Sequence, residues 1–258
     1  MGDNMVMVGD FVTRKSYNND IIFKVIDIKG NICYLNGVSV RLKADSSLDD
    51  LVLCDKEDCG DEFDVKFDEY KTLDRNEYFY LPGKVLHIDG DNEFLDKCMN
   101  FYKKNKIKAY GVYSNEGELA DNIVEYLKKY NPDILVITGH DAMYRKKRAD
   151  GVYKNTDNFI KAVREARKFE KSHEKLFIIA GACQSNYEEL IKAGANFASS
   201  PKRVNIHALD PAIVASSLSF SNKNTDIDLI GILGKTKYGI DGMGGIITKG
   251  TMYVGYPR

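Results

Sequence analysis

The segment Leu176-Phe-Ile-Ile-Ala-Gly-Ala-Cys183 is the longest apolar run in this chain of 258 residues, and Gln184-Ser185 follows it. A short apolar run that ends in glycine and small residues is typical of a strand buried on both faces of a sheet. A helical pattern follows from about Asn186 to Ala193. A buried strand followed closely by a helix predicts the α/β class with a parallel sheet.

The same alternation extends upstream through residues 81–258. Apolar strands are predicted at Lys84–Asp89, Ile107–Tyr113 and Asp133–Gly139. Helices are predicted at Asp91–Lys104, from an N-cap at Asn115 with Glu118 three residues on, and from a cap at Asp157 with the stripe Phe159, Val163, Ala166 and Phe169. These patterns predict a three-layer sandwich, in which helices cover both faces of a mainly parallel sheet.

Residues 1–80 have a different pattern of short, closely spaced strands. Asn36-Gly37 is a strong hairpin signal, with Val38–Leu42 as the expected returning strand. We therefore predict a small N-terminal β-barrel of the SH3-like kind, followed by an acidic linker at residues 55–68. The expected domains are residues 1–80 and residues 81–258.

The composition excludes several classes of protein. The chain carries 37 basic and 38 acidic residues, a net charge of −1 that gives no general attraction to nucleic acid or anionic membrane. No apolar run approaches the roughly 18–20 residues of a membrane span, and the start lacks the pattern of a secretory signal. Five cysteines at irregular spacing predict no disulfide framework and a reducing cytoplasm. Cys54 and Cys59 have no nearby histidines, so neither a metal nor a cofactor is predicted.

Three polar segments follow the predicted parallel strands. They are His87-Ile-Asp89-Gly-Asp91, Thr138-Gly139-His140-Asp141 and Gly181-Ala-Cys183-Gln-Ser185. Ligands gather at the carboxyl ends of parallel strands, so these segments should share one edge of the sheet. A thiol in a strand-to-helix turn faces backbone N–H groups that favour its nucleophilic thiolate, and a neighbouring histidine can protonate a leaving amine.

Structural roles are the alternatives for both residues. A free cysteine is most often a buried packing group, and a loop histidine is most often a hydrogen-bonding one. The two together are more informative than either alone, and they indicate Cys183 as the nucleophile with His140 as its partner. His207, in Asn205-Ile-His-Ala-Leu-Asp210-Pro, is the rival for the role of His140.

The chain order of the two residues separates classes of enzyme. In class I glutamine amidotransferases the histidine follows the cysteine. In caspase-like and clostripain-like peptidases the histidine follows the third strand and the cysteine the fourth, and His140 and Cys183 resemble that order. Asp141 and Ser185 stand where those families usually have glycine. The backbone N–H groups of Cys183 and Asp141 are the expected oxyanion donors.

The chain also resembles the YabG family of sporulation-specific peptidases. Specific segments are residues 81–91, Ile137-Thr-Gly-His-Asp, residues 180–190, residues 193–204 and Ile206-His-Ala-Leu-Asp-Pro. The resemblance implies a cysteine protease of endospore formers that cleaves spore-coat and cortex-associated proteins after arginine. It implies Cys183 as nucleophile with His140 as partner, and a place in the cytoplasm of the sporulating cell or with the spore.

A buried substrate arginine needs a carboxylate to offset its desolvation. Asp89 is favoured for this role over Asp91, which is expected to cap the next helix, and Asp210 is the next candidate after Asp89. The basic segment Arg145-Lys-Lys-Arg148 is an expected site of self-cleavage. Two alternatives stay open: an amidohydrolase or amidotransferase-like enzyme that uses Cys183 with His207, and a non-catalytic flavodoxin-like binding module.

Overall fold

The structure is a computed structural model that describes residues 6–54, 65, 67, 79–144 and 152–255. The chain divides into two compact units, Met1–Phe63 and Asp64–Arg258, whereas the sequence placed the division at residue 80. Most of the predicted acidic linker, Cys59 and the basic segment at residues 145–148 lie outside the described residues. Within the described ranges, no helix has the length and apolar character needed to cross a membrane.

The first unit is an antiparallel sheet of five strands. They are β1 (Phe11–Arg14), β2 (Phe23–Lys29), β3 (Ile32–Gly37), β4 (Lys43–Ser47) and β5 (Leu51–Leu53). Their order is β4-β3-β2-β1-β5, so the last strand returns to pair with the first. Alternate residues point inward, as the period of a strand requires, and the buried core is Val12, Phe23, Val25, Cys33, Leu35 and Leu51.

The predicted hairpin at Asn36-Gly37 is wrong. Both residues belong to β3, and Asn36 pairs with Lys43 of β4. The chain turns instead through the residues between them, where the Gly37 N–H donates to the Leu42 carbonyl at 2.7 Å. A Cβ on Gly37 would lie 2.4 Å from the Val40 carbonyl oxygen. This glycine therefore permits a close approach within a longer turn, which a dipeptide signal does not distinguish from a tight hairpin.

The second unit is built on a six-stranded sheet with α-helices on both faces. The first half contains β6 (Phe79–Leu81), β7 (Val85–Asp89), α1 (Asn92–Lys104), β8 (Ala109–Tyr113), α2 (Leu119–Tyr130), β9 (Ile134–Thr138), β10 (Met143–Tyr144) and β11 (Val152–Tyr153). The second half contains α3 (Thr156–Phe169), β12 (Phe177–Ala180), α4 (Tyr187–Ala193), β13 (Phe197–Ser199), α5 (Asp210–Phe220), α6 (Leu229–Gly234), α7 (Gly239–Gly242), β14 (Met243–Gly245) and β15 (Tyr253–Gly255).

The order of the main sheet is β14-β13-β12-β9-β7-β8. Five of these strands are parallel, and β14 runs antiparallel to β13 at one edge. A separate pair is formed by β6 and β15, which places residues 79–81 in this unit's structure. The sheet is therefore mixed and mostly parallel, as the alternating pattern predicted.

The two faces of the sheet are covered by different helices. The face formed by Leu86, Ile88, Leu135, Ile137 and Ile178 packs against apolar residues of α2, α3 and α4. On the other face, α1 contacts β7 and β8 while α5 contacts β9 and β12. Continuous apolar strands are the signature of a sheet covered in this way, and the predicted sandwich of helices and sheet is confirmed at this level.

Two helix starts differ from the prediction. The residues Glu116–Glu118 form a short 3-10 turn, and α2 begins only at Leu119 without a side-chain cap from Asn115. The Asn115 side chain instead accepts a hydrogen bond from the Tyr113 hydroxyl at 2.9 Å. Asn155, not Asp157, occupies the N-cap position of α3. In the predicted stripe of α3, Phe169 is exposed because it lies in the last turn, whereas Phe159 is buried.

Candidate active site

The three polar segments lie at one edge of the main sheet, where the strands β7, β9 and β12 end side by side. In the register of the sheet, Ile137 is opposite Ala180. His140 and Cys183 each lie three residues beyond these partners in their own segments, so they follow neighbouring strands at the same distance along the chain from the paired residues. From β7 the chain first adds β8 on one side of the sheet and then β9 on the other side. The point between β7 and β9 is therefore a topological switch point, where α/β proteins form the crevice that binds ligands.

The imidazole of His140 is buried and held from one side by Asp91. Its Nε2 lies 2.8 Å from Oδ2 of Asp91. The other oxygen of Asp91 accepts the backbone N–H groups of Glu93 and Phe94 at 2.9 and 3.1 Å, as the N-cap of α1. The Phe94 ring packs against the imidazole with its centroid 5.7 Å away. The start of α1 therefore fixes both the position and the tilt of the ring.

The second ring nitrogen of His140 has different surroundings. Nδ1 is buried and has no hydrogen-bond partner among the residues that the structure describes. Most buried polar atoms are paired, so an unpaired one in a crevice is a candidate for contact with a substrate or a reacting group. Nδ1 is thus the ring nitrogen that remains available for proton transfer.

Cys183 lies in the sharp turn that follows β12. Gly181 has φ +109° and Gln184 has φ +59°, so left-handed residues flank the cysteine on both sides. A Cβ on Gly181 would lie 2.4 Å from the Ser199 hydroxyl oxygen. This position therefore requires glycine for both its conformation and its space. The turn separates the cysteine from the sheet and places it ahead of α4.

The sulfur of Cys183 is fully buried and contacts the main chain of Ile206. The Ile206 N–H donates to Sγ at 3.2 Å, and Sγ lies 3.7 Å from the Ile206 carbonyl oxygen. A hydrogen-bond donor aimed at sulfur stabilises a thiolate more than a thiol. The predicted backbone donor is therefore present, although it comes from the segment before His207 and not from α4.

The loops that carry His140 and Cys183 are joined through the Asp141 carboxylate. Its Oδ1 accepts the N–H groups of Ala142 and Asn155 at 2.9 and 2.8 Å. Its Oδ2 accepts the hydroxyls of Thr156 and Ser185, the latter at 2.9 Å. The Ser185 hydroxyl oxygen also accepts the Ala182 N–H at 3.0 Å, so one serine connects the cysteine turn to the histidine loop.

The predicted oxyanion donors have the following surroundings. The backbone N–H of Asp141 donates to no acceptor among the described residues, and the N–H of Cys183 belongs to the turn between Gly181 and Gln184. Their role stays a prediction. The Asn155 side chain donates to the His140 carbonyl at 2.7 Å, which further fixes the backbone that would present the Asp141 N–H.

Asp89 is fully buried beneath the crevice. It accepts the Asp91 N–H and the Thr138 hydroxyl, each at 3.0 Å. Because the Thr138 hydroxyl donates to Asp89, it accepts a hydrogen bond from the Nε2–H of His87 at 3.0 Å, while Nδ1 of His87 faces the Tyr102 hydroxyl at 3.0 Å. His87 is thereby part of a buried network that supports the ends of β7 and β9. Asp89 as a carboxylate for substrate stays a prediction.

His207 and Asp210 interact with each other and with their own segment. The His207 N–H donates to one oxygen of Asp210 at 2.8 Å, and the Lys237 N–H donates to the other at 2.8 Å. Nδ1 of His207 accepts the Leu209 N–H at 3.2 Å. Asp210 is fully buried. The structure therefore places both residues beside the start of α5, next to the residue that contacts Cys183.

Glu116 is a site residue that the sequence did not indicate. Its Oε1 accepts the backbone N–H of His140 at 2.9 Å. Cβ atoms on Gly90 and Gly139 would lie 2.5 and 2.7 Å from the same oxygen, so two strand-end glycines make room for this carboxylate at the switch point. Glu116 is half-buried and lies between Asn115 and Glu118, the two residues that the sequence assigned to a helix cap. In the structure Glu116–Glu118 form a 3-10 turn, from which the Glu116 carboxylate reaches the backbone of His140.

An ion pair supports the segment behind Cys183. Arg203, with φ +57°, donates to the Ser200 carbonyl, the Tyr153 hydroxyl and the Glu188 carboxylate. Burial raises the pKa of Glu188, but the hydrogen bond and charge of Arg203, a backbone hydrogen bond and the charge of Lys192 together hold that pKa below its ordinary value. Arg203 thus holds the residues between β13 and Ile206 against α4.

Comparison with known proteins gives a consistent family. The model of the family described as YabG peptidase U57 matches residues 7–68 and 61–257. The sporulation-specific protease YabG of Bacillus subtilis (strain 168) is 41% identical over 282 residues, which cover 97% of this chain and 97% of that protein. No solved structure matches the chain. The matches span both units and include every residue of the site, and the chain therefore belongs to the YabG peptidase family.

Proposed function

We propose that this peptidase is a cysteine endopeptidase in which Cys183 is the nucleophile and His140 its acid–base partner. One observation carries the proposal. The two residues extend equally far beyond the register-matched ends of neighbouring parallel strands, at the edge of the sheet where ligands bind. Family membership supports peptide hydrolysis, and a thiol with a nearby imidazole is the nucleophilic pair that this edge offers.

The proposed reaction has two halves. The Cys183 thiolate attacks the scissile carbonyl carbon, and the developing oxyanion is met by the N–H groups of Cys183 and Asp141. His140 delivers its proton to the leaving amine, the C–N bond breaks and a thioester remains on the sulfur. A water molecule then gives a proton to His140 and attacks the thioester. The C–S bond breaks, which releases the carboxylic acid and restores the Cys183 thiolate beside the protonated His140. The chemistry requires no cofactor.

The strand order supports a caspase-like arrangement. His140 follows the third parallel strand of the sheet in chain order, β9, and Cys183 follows the fourth, β12. This is the order that separates caspase-like and clostripain-like peptidases from class I glutamine amidotransferases. In the first unit, the return of β5 to β1 supports an SH3-like barrel, to which we assign substrate recruitment or regulation.

We further propose cleavage after arginine, with Glu116 as the first carboxylate to meet the substrate guanidinium. Asp89 and Asp210 already accept protein hydrogen bonds in fully buried positions. Glu116 is half-buried, and its Oε2 accepts no hydrogen bond from the described residues. A carboxylate oxygen with no donor in the part of the chain that the structure describes, beside the loop that carries His140, fits the paired donors of arginine better than the single ammonium of lysine.

The substrates proposed for this chain are spore-coat and cortex-associated proteins. The support is the relationship to a protein described as a sporulation-specific protease. The cellular setting that follows is the cytoplasm of the sporulating cell or the spore itself. Self-cleavage within residues 145–148 belongs to the same proposal, because that segment carries arginines.

A second candidate is an amidohydrolase or amidotransferase-like mechanism that pairs Cys183 with His207. Its support is the contact between Cys183 and Ile206, the neighbour of His207. The ring of His207 is turned towards its own segment through the Leu209 N–H. Acid–base help is worth about 10²–10⁴-fold in rate. The replacement His140→Ala should therefore lose that much peptidase activity, and His207→Ala clearly less.

The third alternative, a non-catalytic flavodoxin-like binding module, gains no support from membership of a peptidase family.

The direct test is incubation with an arginine-rich protein, followed by mass-spectrometric mapping of the new termini. We expect cuts after arginine that are absent when Cys183 is replaced by alanine. Glu116→Gln should reduce these cuts more strongly than it reduces alkylation of Cys183 by a small uncharged reagent. Cuts of equal efficiency after lysine would contradict the arginine pocket, and cuts that persist in Cys183→Ala would contradict the mechanism.

A further inference from the structure

We propose that Asp91 is the positioning residue of His140, so that the site works as a Cys183–His140–Asp91 triad in which Asp91 does not bind substrate. The inference rests on the proposed cysteine mechanism and adds a residue to it. Its basis is the 2.8 Å contact between Nε2 of His140 and Oδ2 of Asp91, in which both side chains are at most 10% exposed.

The contact determines which ring nitrogen can react. A carboxylate only accepts hydrogen bonds, so Nε2 must carry a proton whether the ring is neutral or cationic. The nitrogen that exchanges a proton with the thiol or the leaving amine is then Nδ1, the atom left without a partner among the described residues. Asp91 thus selects the reactive form of His140 from the far side of the ring.

The cap of α1 alone does not account for an aspartate at this position. Ser, Thr and Asn also make good N-caps, and each uses a single oxygen. In Asp91, Oδ1 takes both cap N–H groups while Oδ2 is directed to His140. The cap therefore holds the carboxylate in one orientation. Among these N-cap residues, only aspartate has a second acceptor oxygen, and this is the oxygen that contacts His140.

Other charged groups around His140 do not replace this contact. Glu116 reaches its backbone N–H and not its ring, and the carboxylate of Asp141 is occupied by four donors from neighbouring residues. The remaining neighbour from α1 is the uncharged ring of Phe94. Within the described ranges, Asp91 is the carboxylate that contacts the imidazole.

Asp91→Asn is the informative substitution because the cap determines how the amide must sit. The amide oxygen replaces Oδ1 at the cap N–H groups, so its NH₂ faces Nε2 of His140. Nε2 must then accept, and the ring proton moves to Nδ1, which is the wrong form for catalysis. In a serine peptidase triad the corresponding change lowers kcat by about 10⁴-fold. We expect a loss of about 10²–10⁴-fold in kcat with little change in KM.

The experiment compares wild type, Asp91→Asn and Asp228→Asn by steady-state peptide cleavage and by ¹⁵N spectroscopy of the histidine rings. Asp228 caps α6 through the Gly231 N–H and is the matched control for losing a capping charge. With four histidines in the chain, His140→Gln identifies the signal of His140. We expect a protonated Nε2 in wild type and Asp228→Asn, and an unprotonated Nε2 in Asp91→Asn.

The outcomes separate the proposals. A lower kcat together with the change at Nε2 supports the positioning role. An unchanged kcat, or a lower kcat with the proton still on Nε2, overturns it. Should Asp91→Asn fail to fold, Asp91→Ser keeps a cap oxygen but offers no acceptor to the Nε2–H of His140. The positioning role then predicts a lower kcat and a ring no longer held in its Nε2–H form, and a wild-type kcat overturns it. Absence of cleavage by wild type, or cleavage that survives Cys183→Ala, contradicts the proposed function instead.

Discussion

The Ser185 hydroxyl donates to Asp141 Oδ2 at 2.9 Å, and these are the two residues at which the proposed caspase-like arrangement usually has glycine. One departure from the pattern therefore contacts the other. The pair joins the loop after β9 to the turn after β12, where His140 and Cys183 lie. A glycine at either position could not make this bond, so the two replacements are understood together and not as separate losses.

The first prediction concerns this pair. Ser185→Ala leaves the Ala182 N–H without its acceptor and removes a donor from Asp141, so the free energy of unfolding should fall by about 1–3 kcal/mol. Denaturant unfolding measures it. Ser217→Ala is the control. The buried Ser217 hydroxyl donates within α5 to the Ile213 carbonyl, a bond that does not stabilise a helix, and alanine is the better helix former, so the change should be within about 0.7 kcal/mol. Equal effects of the two substitutions would contradict a specific bridge.

The second prediction concerns Gly181. Alanine there meets both a left-handed backbone and the Ser199 hydroxyl, so Gly181→Ala should destabilise the protein by about 1–3 kcal/mol and lower the rate of Cys183 alkylation. Gly234→Ala is the control. Gly234 lies in α6 with open space around it, so alanine there should raise the free energy of unfolding of the protein by up to about 1 kcal/mol. A Gly181→Ala protein with normal stability would show that the turn is not constrained as described.

The third prediction concerns Arg167, which joins the end of α3 to the segments before β12 and β13. Its guanidinium donates to the Gly194 and Leu176 carbonyls at 2.7 and 2.8 Å and to the Asn196 side chain at 2.5 Å. Burial lowers the pKa of Arg167 to about 10, so it stays charged at neutral pH. Arg167→Lys keeps the charge but loses the planar guanidinium whose several N–H groups donate to these acceptors. The free energy of unfolding should fall by about 2–3 kcal/mol.

Arg164→Lys, at an exposed position of the same helix, controls for the general effect of replacing arginine by lysine. Both variants are compared by the midpoint and slope of urea unfolding. A loss in Arg167→Lys no larger than that in Arg164→Lys would mean that the carbonyl contacts contribute nothing measurable.

The fourth prediction is a pH dependence that arises at Glu188. Burial raises the pKa of Glu188, but its pKa in the folded protein lies below the ordinary value, because the hydrogen bond and charge of Arg203, a backbone hydrogen bond and the charge of Lys192 together outweigh burial. The stabilisation it provides is therefore complete above the ordinary glutamate pKa, and is lost as the pH falls through the lower value in the folded state. Wild type should exceed Glu188→Gln in unfolding free energy at pH 6, and the difference should shrink as the solution is acidified towards pH 3. A difference that grows on acidification would reverse the assigned sign.

The sequence predicted four of the six strands of the main sheet, because buried parallel strands are continuous apolar runs, as at Ile134–Thr138 and Phe177–Ala180. It did not predict β13 and β14, which have only three residues each. The same rule placed His140 and Cys183 at one edge. The start of α2 and the role of Glu116 were not predictable, because Asn115 and Glu118 match a capping box equally well. The contact between Asp91 and His140 joins residues 49 positions apart, and no local pattern in a single sequence encodes such a pairing.

The central claim is that Cys183, activated by His140, attacks a carbonyl carbon next to arginine. The most direct measurement uses a peptidyl acyloxymethyl ketone with arginine at the position before the reactive carbonyl, followed by mass-spectrometric localisation of the adduct. We predict one adduct, on Cys183, which persists in Cys98→Ala, a buried cysteine of α1, and is at least about 10²-fold slower in His140→Ala. An adduct on another residue, or labelling of Cys183 at an unchanged rate in His140→Ala, would contradict the account.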